Sequence, residues 1–333
     1  MADESQSPDL VAPGIRRLPL PTPFAVGRVN CYVIEDEPLT LVDPGPNSAV
    51  AMAELEGRLA DLGRRVEDVG LVLLTHQHHD HSGLTAAVRG RSGATVAALS
   101  PLAELLGSYE RAMAEDDAYQ ADLMRRHGVP EETWTTLQDV SRAFRRFGHG
   151  VAVDRPLAEG EEIRLAGRRL VVLARPGHSP TDTLFLDPDA AVVLGGDHLI
   201  ARVSSNPVIH RQWGDAPRRS ALMAYLASLD RTADMDLALV LPGHGDPIGD
   251  HRGLIAKRRA HHRSRAEVIA GLLAERPRTA HDLARAIWGD MALRQAFLTL
   301  SEVLGHVDLL TAEGRAAERE DGGIVVVEGV GGA

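Results

Sequence analysis

The stretch Val69-Gly70-Leu71-Val72-Leu73-Leu74-Thr75-His76-Gln77-His78-His79-Asp80-His81 decides the reading of this chain. An apolar run of strand character ends abruptly in four histidines and an aspartate. A buried strand that terminates so places imidazole and carboxylate groups at its carboxyl end, where they can hold a metal ion. Neutral imidazole and carboxylate suit zinc and other borderline divalent ions, and a chain with one cysteine, Cys31, cannot build a thiolate cage. Six consecutive residues do not complete such a site, so partners must be sought elsewhere.

The same pattern, apolar strand then small or turn-forming residue then His or Asp, recurs along the chain. Leu39 to Val42 ends in Asp43-Pro44-Gly45; Leu170 to Ala174 in Arg175-Pro176-Gly177-His178; Ala191 to Leu194 in Gly195-Gly196-Asp197-His198. Leu237 to Leu241 ends in Pro242-Gly243-His244-Gly245-Asp246. Glycine at these corners lets the backbone turn sharply and leaves room beside a ligand. Buried His and Asp without such a role would be costly to desolvate.

Around these corners the chain reads as a two-part protein. At 333 residues it is long for one core, so a large domain and a small one are expected. Met1 to Gly14 reads as a disordered start, and 15–250 as the main domain with a strand at Arg28 to Glu35. Ser48 to Leu62 reads as a helix capped by Ser48 and ended by Gly63, and Arg218 to Leu229 as another. Between them, 101–147 is an amphipathic helical insertion holding Tyr109, Met113, Tyr119, Met124, Trp134, Phe144 and Phe147. It can be plain packing or a lid over the site. Residues 251–276 form a basic connecting helix with Lys257, Arg258, Arg259, His261, His262, Arg263 and Arg265. The remainder, 277–333, reads as helices followed by a hairpin, Arg315 to Glu318 and Ile324 to Glu328, which suggests a winged helix.

His76-x-His78-x-Asp80-His81 with His178, Asp197 and His244 in order resembles the metallo-β-lactamase superfamily. The resemblance implies an α/β fold, an αββα sandwich, here with the helical insertion and the small C-terminal winged-helix-like domain. It implies two divalent ions, zinc by default with iron or manganese as alternatives. One would take His76, His78 and His178, the other Asp80, His81 and His244, and Asp197 would bridge them. A bridging hydroxide is then the expected nucleophile, with Asp80 to orient it or accept its proton. Asp43, with Thr75 beside His76, is expected behind the ligands, holding an imidazole in its tautomer. His79 is expected to face away, while His198, Arg259 and Arg263 are possible substrate contacts. His127, His149, His210, His251, His261, His262, His281 and His306 read as surface or packing residues, His149 and His210 least securely.

The tail resembles the group of β-lactamase-like proteins that includes an endoribonuclease and polyketide thioesterases. Charge bears on the choice between those activities. The chain carries a formal charge of −11, and from Pro277 five arginines face nine acids, a net of −4. A surface that reads nucleic acid should be positive, so nucleic acid is a disfavoured partner. The expected activity is hydrolysis of a thioester or related ester, on a small-molecule or carrier-linked acyl substrate. An endoribonuclease or phosphodiesterase is the alternative, and a non-catalytic binding protein a further one. A homodimer is possible. With no basic segment and apolar stretch at the start, and no run of about 18 apolar residues, a cytoplasmic protein without a membrane span is expected.

Overall fold

The computed structural model describes residues 8–211 and 220–331. Its first sheet has seven strands in chain order: β1 (Asp9–Ala12), β2 (Ile15–Leu20), β3 (Val29–Ile34), β4 (Thr40–Val42), β5 (Leu71–Leu74), β6 (Thr95–Leu99) and β7 (Arg155–Leu157). Pairing is antiparallel from β1 to β4 and parallel from β4 to β7. The second sheet runs β12-β11-β10-β9-β8, from β8 (Glu162–Arg164), β9 (Arg169–Ala174), β10 (Thr183–Asp187), β11 (Val192–Gly196) and β12 (Leu239–Pro242). Of its pairings, β11 with β12 is parallel and the others are antiparallel.

The two sheets face each other across an apolar core that includes Tyr32, Leu73, Leu157, Phe185 and Leu241. The outer face of the first sheet is covered by α1 (Ala49–Asp61), α3 (Thr85–Ser92) and α4 (Ser100–Gly107), with Leu55, Leu59, Val88 and Leu102 packed on Val33, Val72 and Val96. The short α2 (His79–Ser82) falls within the histidine-rich stretch itself. α5 (Tyr109–Arg126) and α6 (Glu131–Phe144) complete the insertion. On the second sheet's outer face lie α7 (Ala221–Ala233) and the start of the long α8 (His251–Glu275), through Leu222, Tyr225, Leu229 and Ile255. This is the αββα sandwich that the resemblance implies.

α1 shows how locally these elements are specified. Ser48 accepts a hydrogen bond from Ala51 N at 3.1 Å, Leu55 and Leu59 are buried one turn apart, and Gly63 leaves the helix at φ +68°. The C-terminal region contains α9 (Ala280–Trp288), α10 (Met291–Arg294), α11 (Ala296–Ala312) and a three-stranded sheet. That sheet runs β13-β15-β14, from β13 (Arg278–Thr279), β14 (Ala316–Asp321) and β15 (Ile324–Gly329). It shares a core with α8, through Ile269, Leu273, Leu283, Leu300 and Val327.

One expectation changes here, and one strand appears that the sequence did not signal. The supposedly disordered start contains β1, whose pairing with β2 is reinforced by an Arg17–Asp9 ion pair of 2.7 Å. Residues 1–7 lie outside the described residues, as do Arg218 and Arg219 of the helix expected from Arg218. Strand β7 is absent from the sequence reading because three residues around a proline carry too little pattern. Among the described residues, no helix is long and apolar enough to cross a membrane.

Candidate metal centre

β4, β5, β11 and β12 all release their chains at one edge of the sandwich, and the loop after β9 comes to the same place. The seven residues singled out above converge there. His76 follows β5 almost directly, and the helical turn α2 carries Asp80 and His81. His76, His78 and His178 form one group whose donor atoms lie within 4.8 Å of one another; Asp80, His81 and His244 form a second. Asp197 stands between the groups. Its Oδ1 is 3.4 Å from His81 Nε2, and its Oδ2 is 3.6 Å from His178 Nε2 and 3.5 Å from His244 Nε2. The corner at Gly243 is tight: a Cβ there would strike the Asp197 carboxylate and the His81 ring.

Hydrogen bonds on the outer side of the cluster fix which ring nitrogens look inward. His81 Nδ1 donates to Asp43 Oδ2 at 2.9 Å, His178 Nδ1 to the Asn206 carbonyl at 2.9 Å, and His244 Nδ1 to the Arg28 carbonyl at 2.8 Å. Thr75 Oγ1 donates to Asp43 Oδ2 at 2.6 Å and can accept from His76 Nδ1 at 2.9 Å. Each assignment leaves the Nε2 lone pair of that ring facing the interior. His81 Nε2, His244 Nε2 and Asp197 Oδ1 are buried and have no hydrogen-bond partner. Around Asp197, ring nitrogens and a carboxylate oxygen therefore converge, buried and unpartnered, an arrangement that a cation satisfies. The donor set fits divalent metal ions.

The electrostatics express the same frustration. Burial opposes charge on His81, yet Asp197, Asp80 and Asp43 hold it well above its ordinary value. Burial likewise opposes charge on His244, which Asp197 and Asp80 raise. Burial would lift the Asp197 carboxyl, but His81 and His244 keep it well below the usual range. His76 and His78, buried beside other imidazoles, are held well below theirs.

Asp43 anchors the whole assembly. It sits at φ +54°, a left-handed conformation costly for most residues but tolerated by Asp. In that pose its Oδ1 accepts from Thr75 N at 2.9 Å while its Oδ2 serves Thr75 Oγ1 and His81. A further network was not legible beforehand. Gln77 Oε1 accepts from Ser179 Oγ and Thr181 Oγ1, each at 2.6 Å, and Asp182 Oδ2 accepts from Ser179 N at 2.8 Å. These bonds tie the His76–His81 loop to the His178 loop; the polar run after His178 was the available signal.

Several other expected roles change. His198 points away from the cluster into the core, where its Nε2 meets Thr232 Oγ1 at 2.9 Å. Arg259 pairs with Asp230, and Arg263 with Glu313 at 3.0 Å. None of the three lines the cavity above the cluster, so they are withdrawn as substrate contacts. Arg258 instead donates to the carbonyls of Ile200, Ala201 and Val203, pinning a loop that forms part of the cavity wall. His79 and His210 do line that cavity, and His79 Nε2 lies 2.9 Å from Tyr109 Oη of the insertion. His262 and His306 are buried against each other, Nδ1 to Nε2 at 3.3 Å, as packing residues between α8 and α11.

A sandwich of this topology with a His/Asp cluster at the strand ends defines a metal-dependent hydrolase scaffold. The metallo-beta-lactamase superfamily pattern matches residues 25–244, and the chain belongs to that superfamily. It is 33% identical over 304 residues to a probable metallo-hydrolase, YqjP, of Bacillus subtilis, covering 88% of this chain and 91% of the relative. Among solved structures it is similar to a metallo-beta-lactamase family protein of Thermus thermophilus, at 31% identity and a TM-score of 0.81 over 96% of this chain and 100% of that one. A beta-lactamase domain protein of Burkholderia ambifaria superposes with the same TM-score of 0.81 at 26% identity, over 98% of this chain and 96% of that one. The chain is therefore a metallo-hydrolase of this superfamily.

Proposed function

We propose that the protein is a dinuclear metal hydrolase acting on a thioester or related carboxylic ester. The observation that carries the substrate reading is the cavity above the cluster. It holds about 530 Å³, with His78, Asp80, His178, Asp197 and His244 on its floor. No Lys or Arg is among its described lining residues, and Asp116 adds an acid to its wall. A polyanionic backbone needs cations along its path, so this cavity suits an uncharged acyl group and opposes RNA.

His76, His78 and His178 would hold one ion, and Asp80, His81 and His244 the other, with Asp197 shared. When bound, the ions supply Lewis acidity and lower the pKa of a water towards neutrality, and zinc suits the donors best. The Asp80 carboxylate then accepts the proton of the attacking water. The water oxygen bonds to the acyl carbon, the carbon–sulfur (or carbon–oxygen) bond breaks, and the departing thiol or alcohol takes up the proton. Asp43 and Thr75 hold His81 and His76 in the tautomers required, and the insertion's Tyr109, through His79, positions the loop.

The test is a paired assay on one zinc-loaded preparation, comparing a small acyl-thioester panel with single-stranded RNA. Thioester turnover that disappears in Asp197→Ala, with loss of at least one bound ion per chain, is expected. RNA cleavage abolished by His81→Ala, with thioesters untouched, would reverse the reading.

A further inference from the structure

Beyond the metal floor the cavity continues. A second chamber of about 350 Å³ lies between α5, α6 and α11, and it shares Phe24, Asp117, Gln120, Ser141, Phe297 and Leu298 with the first. Its other walls are Met124, Leu137, Val140 and Phe144, with Gln138. Much of its polar lining is already engaged. Asp117 accepts from Ser141 Oγ at 2.7 Å and pairs with Arg145, and Gln138 Nε2 donates to the Asp117 carbonyl at 3.4 Å. No cation is among the described lining residues. The chamber thus has little to offer a charged ligand and much to offer an aliphatic or aromatic one.

The helices around it are short of a partner. α6 is amphipathic in sequence, yet none of its residues is fully buried. Val140 on α6 is 42% exposed and Leu298 on α11 is 41% exposed, and Val26 and Val203 at the mouth are 44% and 50%. These four belong to the small set of large apolar side chains that the described surface leaves open, and all four line one of the two joined cavities. Exposed apolar surface gathered at a cavity marks a binding site rather than chance. Its connection to the metal floor identifies the occupant: whatever fills the chamber is attached to the group being cleaved.

We propose that this chamber seats the apolar chain of the substrate's acyl group, so that the enzyme prefers long-chain or aromatic acyl esters or thioesters over acetyl ones. The proposal rests on the ester and thioester reading above. The carbonyl lies at the metal floor and the chain passes between Phe24 and Phe297, which line both spaces. Phe24 is itself held by the insertion, its ring 5.3 Å from Phe144 and 6.1 Å from Phe147. The C-terminal region contributes Phe297 and Leu298, so the acyl site is incomplete without α11. This gives 277–333 a part in selectivity that does not involve nucleic acid.

The test uses the zinc-loaded full chain and a series of thioesters of one thiol, from acetyl through hexanoyl and decanoyl to palmitoyl. Burial of each methylene should raise kcat/KM about fourfold until the chamber is full. Leu137→Trp, which fills the chamber, should cut the decanoyl-to-acetyl ratio of kcat/KM by at least tenfold, an effect of roughly two methylenes' burial. Val140→Asp, at an exposed position where folding is not at stake, should do the same. Val268→Trp, at an exposed position of α8 that lines neither cavity, should leave the ratio as it is. Thioesters cleaved at equal rates whatever their length, or a ratio unmoved by both chamber variants, would overturn the chamber while leaving the hydrolase reading intact. If no acyl ester is cleaved, that reading fails, and displacement of a fluorescent fatty acid by decanoate then tests the chamber alone; no displacement rejects it. Wild-type binding to neutral phosphatidylcholine vesicles, lost in Val140→Asp without any chain-length effect, would make the patch a membrane contact and also reject it.

Discussion

Replacing Asp43 by Asn isolates what the outer hydrogen bonds contribute to the centre. Asn tolerates the left-handed backbone that Asp43 adopts at φ +54°, so the corner after β4 should keep its shape. The side chain cannot keep all its bonds. With the amide oxygen in the place of Oδ1, Thr75 N is still served at 2.9 Å, but the amide nitrogen then faces His81 Nδ1, donor against donor. His81 can relieve that clash only by moving its proton to Nε2, the atom that now faces Asp197. With the amide reversed, His81 is served and the Thr75 N–H meets a donor instead. Either way one buried group loses its partner, at about 1–3 kcal/mol. That corresponds to a loss of metal affinity of roughly 10–100-fold, in line with what outer partners of metal-binding histidines contribute. Competition with a chromophoric chelator measures it, with near-UV circular dichroism to establish that the fold persists. The group containing His81 should weaken and the His76, His78 and His178 group should hold. An affinity within about twofold of wild type at both, together with an unchanged melting temperature, would refute the reasoning, because either amide orientation leaves one buried group unpaired.

Two further outcomes follow from the electrostatics. Burial pushes the Asp116 carboxyl up to about 6 despite the neighbouring Arg211, so its share of stability is complete below the unfolded value near 3.8 and is lost as the pH rises through about 6. Asp116→Asn should therefore stabilise the protein near pH 8 by about 1–2 kcal/mol, the gain shrinking towards pH 4; a loss of melting temperature near pH 8 would contradict this. Stripping the metal leaves Asp80, Asp197 and Asp43 buried together, and removal should lower the melting temperature by the equivalent of about 4 kcal/mol where free ion stood a thousandfold above Kd. Differential scanning calorimetry with and without chelator checks it, and identical melting curves would count against any bound ion.

What could be read in advance, and what could not, divides along a physical line. His76, His78, Asp80 and His81 are specified by neighbours in the chain: a buried strand stops, the backbone turns, and spacing alone decides which side each residue faces. The corners at Asp43, His178, Asp197 and His244 repeat that grammar, so the cluster was visible as a pattern. Directions beyond those corners were not. Asp197 and His198 are adjacent, yet one enters the cluster and the other the core beside Thr232, because consecutive side chains after β11 diverge. The sequence pattern that places His78 and His244 at the cluster is of the same kind that misplaces His198, since only the packing of α7 distinguishes them. The partners that orient His178 and His244 are the backbone carbonyls of Asn206 and Arg28, and a carbonyl has no residue signature at all. The walls of the two joined cavities pose the same difficulty more strongly. Phe24, Leu137, Val203 and Phe297 come from four distant segments, and each looks ordinary in its own stretch of sequence. Their common property, apolar surface left open beside the metal floor, exists only after folding. The reaction is thus written in local motifs at the ends of strands, whereas the choice of substrate is a tertiary property. If the joined cavities seat the acyl chain as proposed, variation in 101–147 and 277–333 redirects that choice while the chemistry stays fixed.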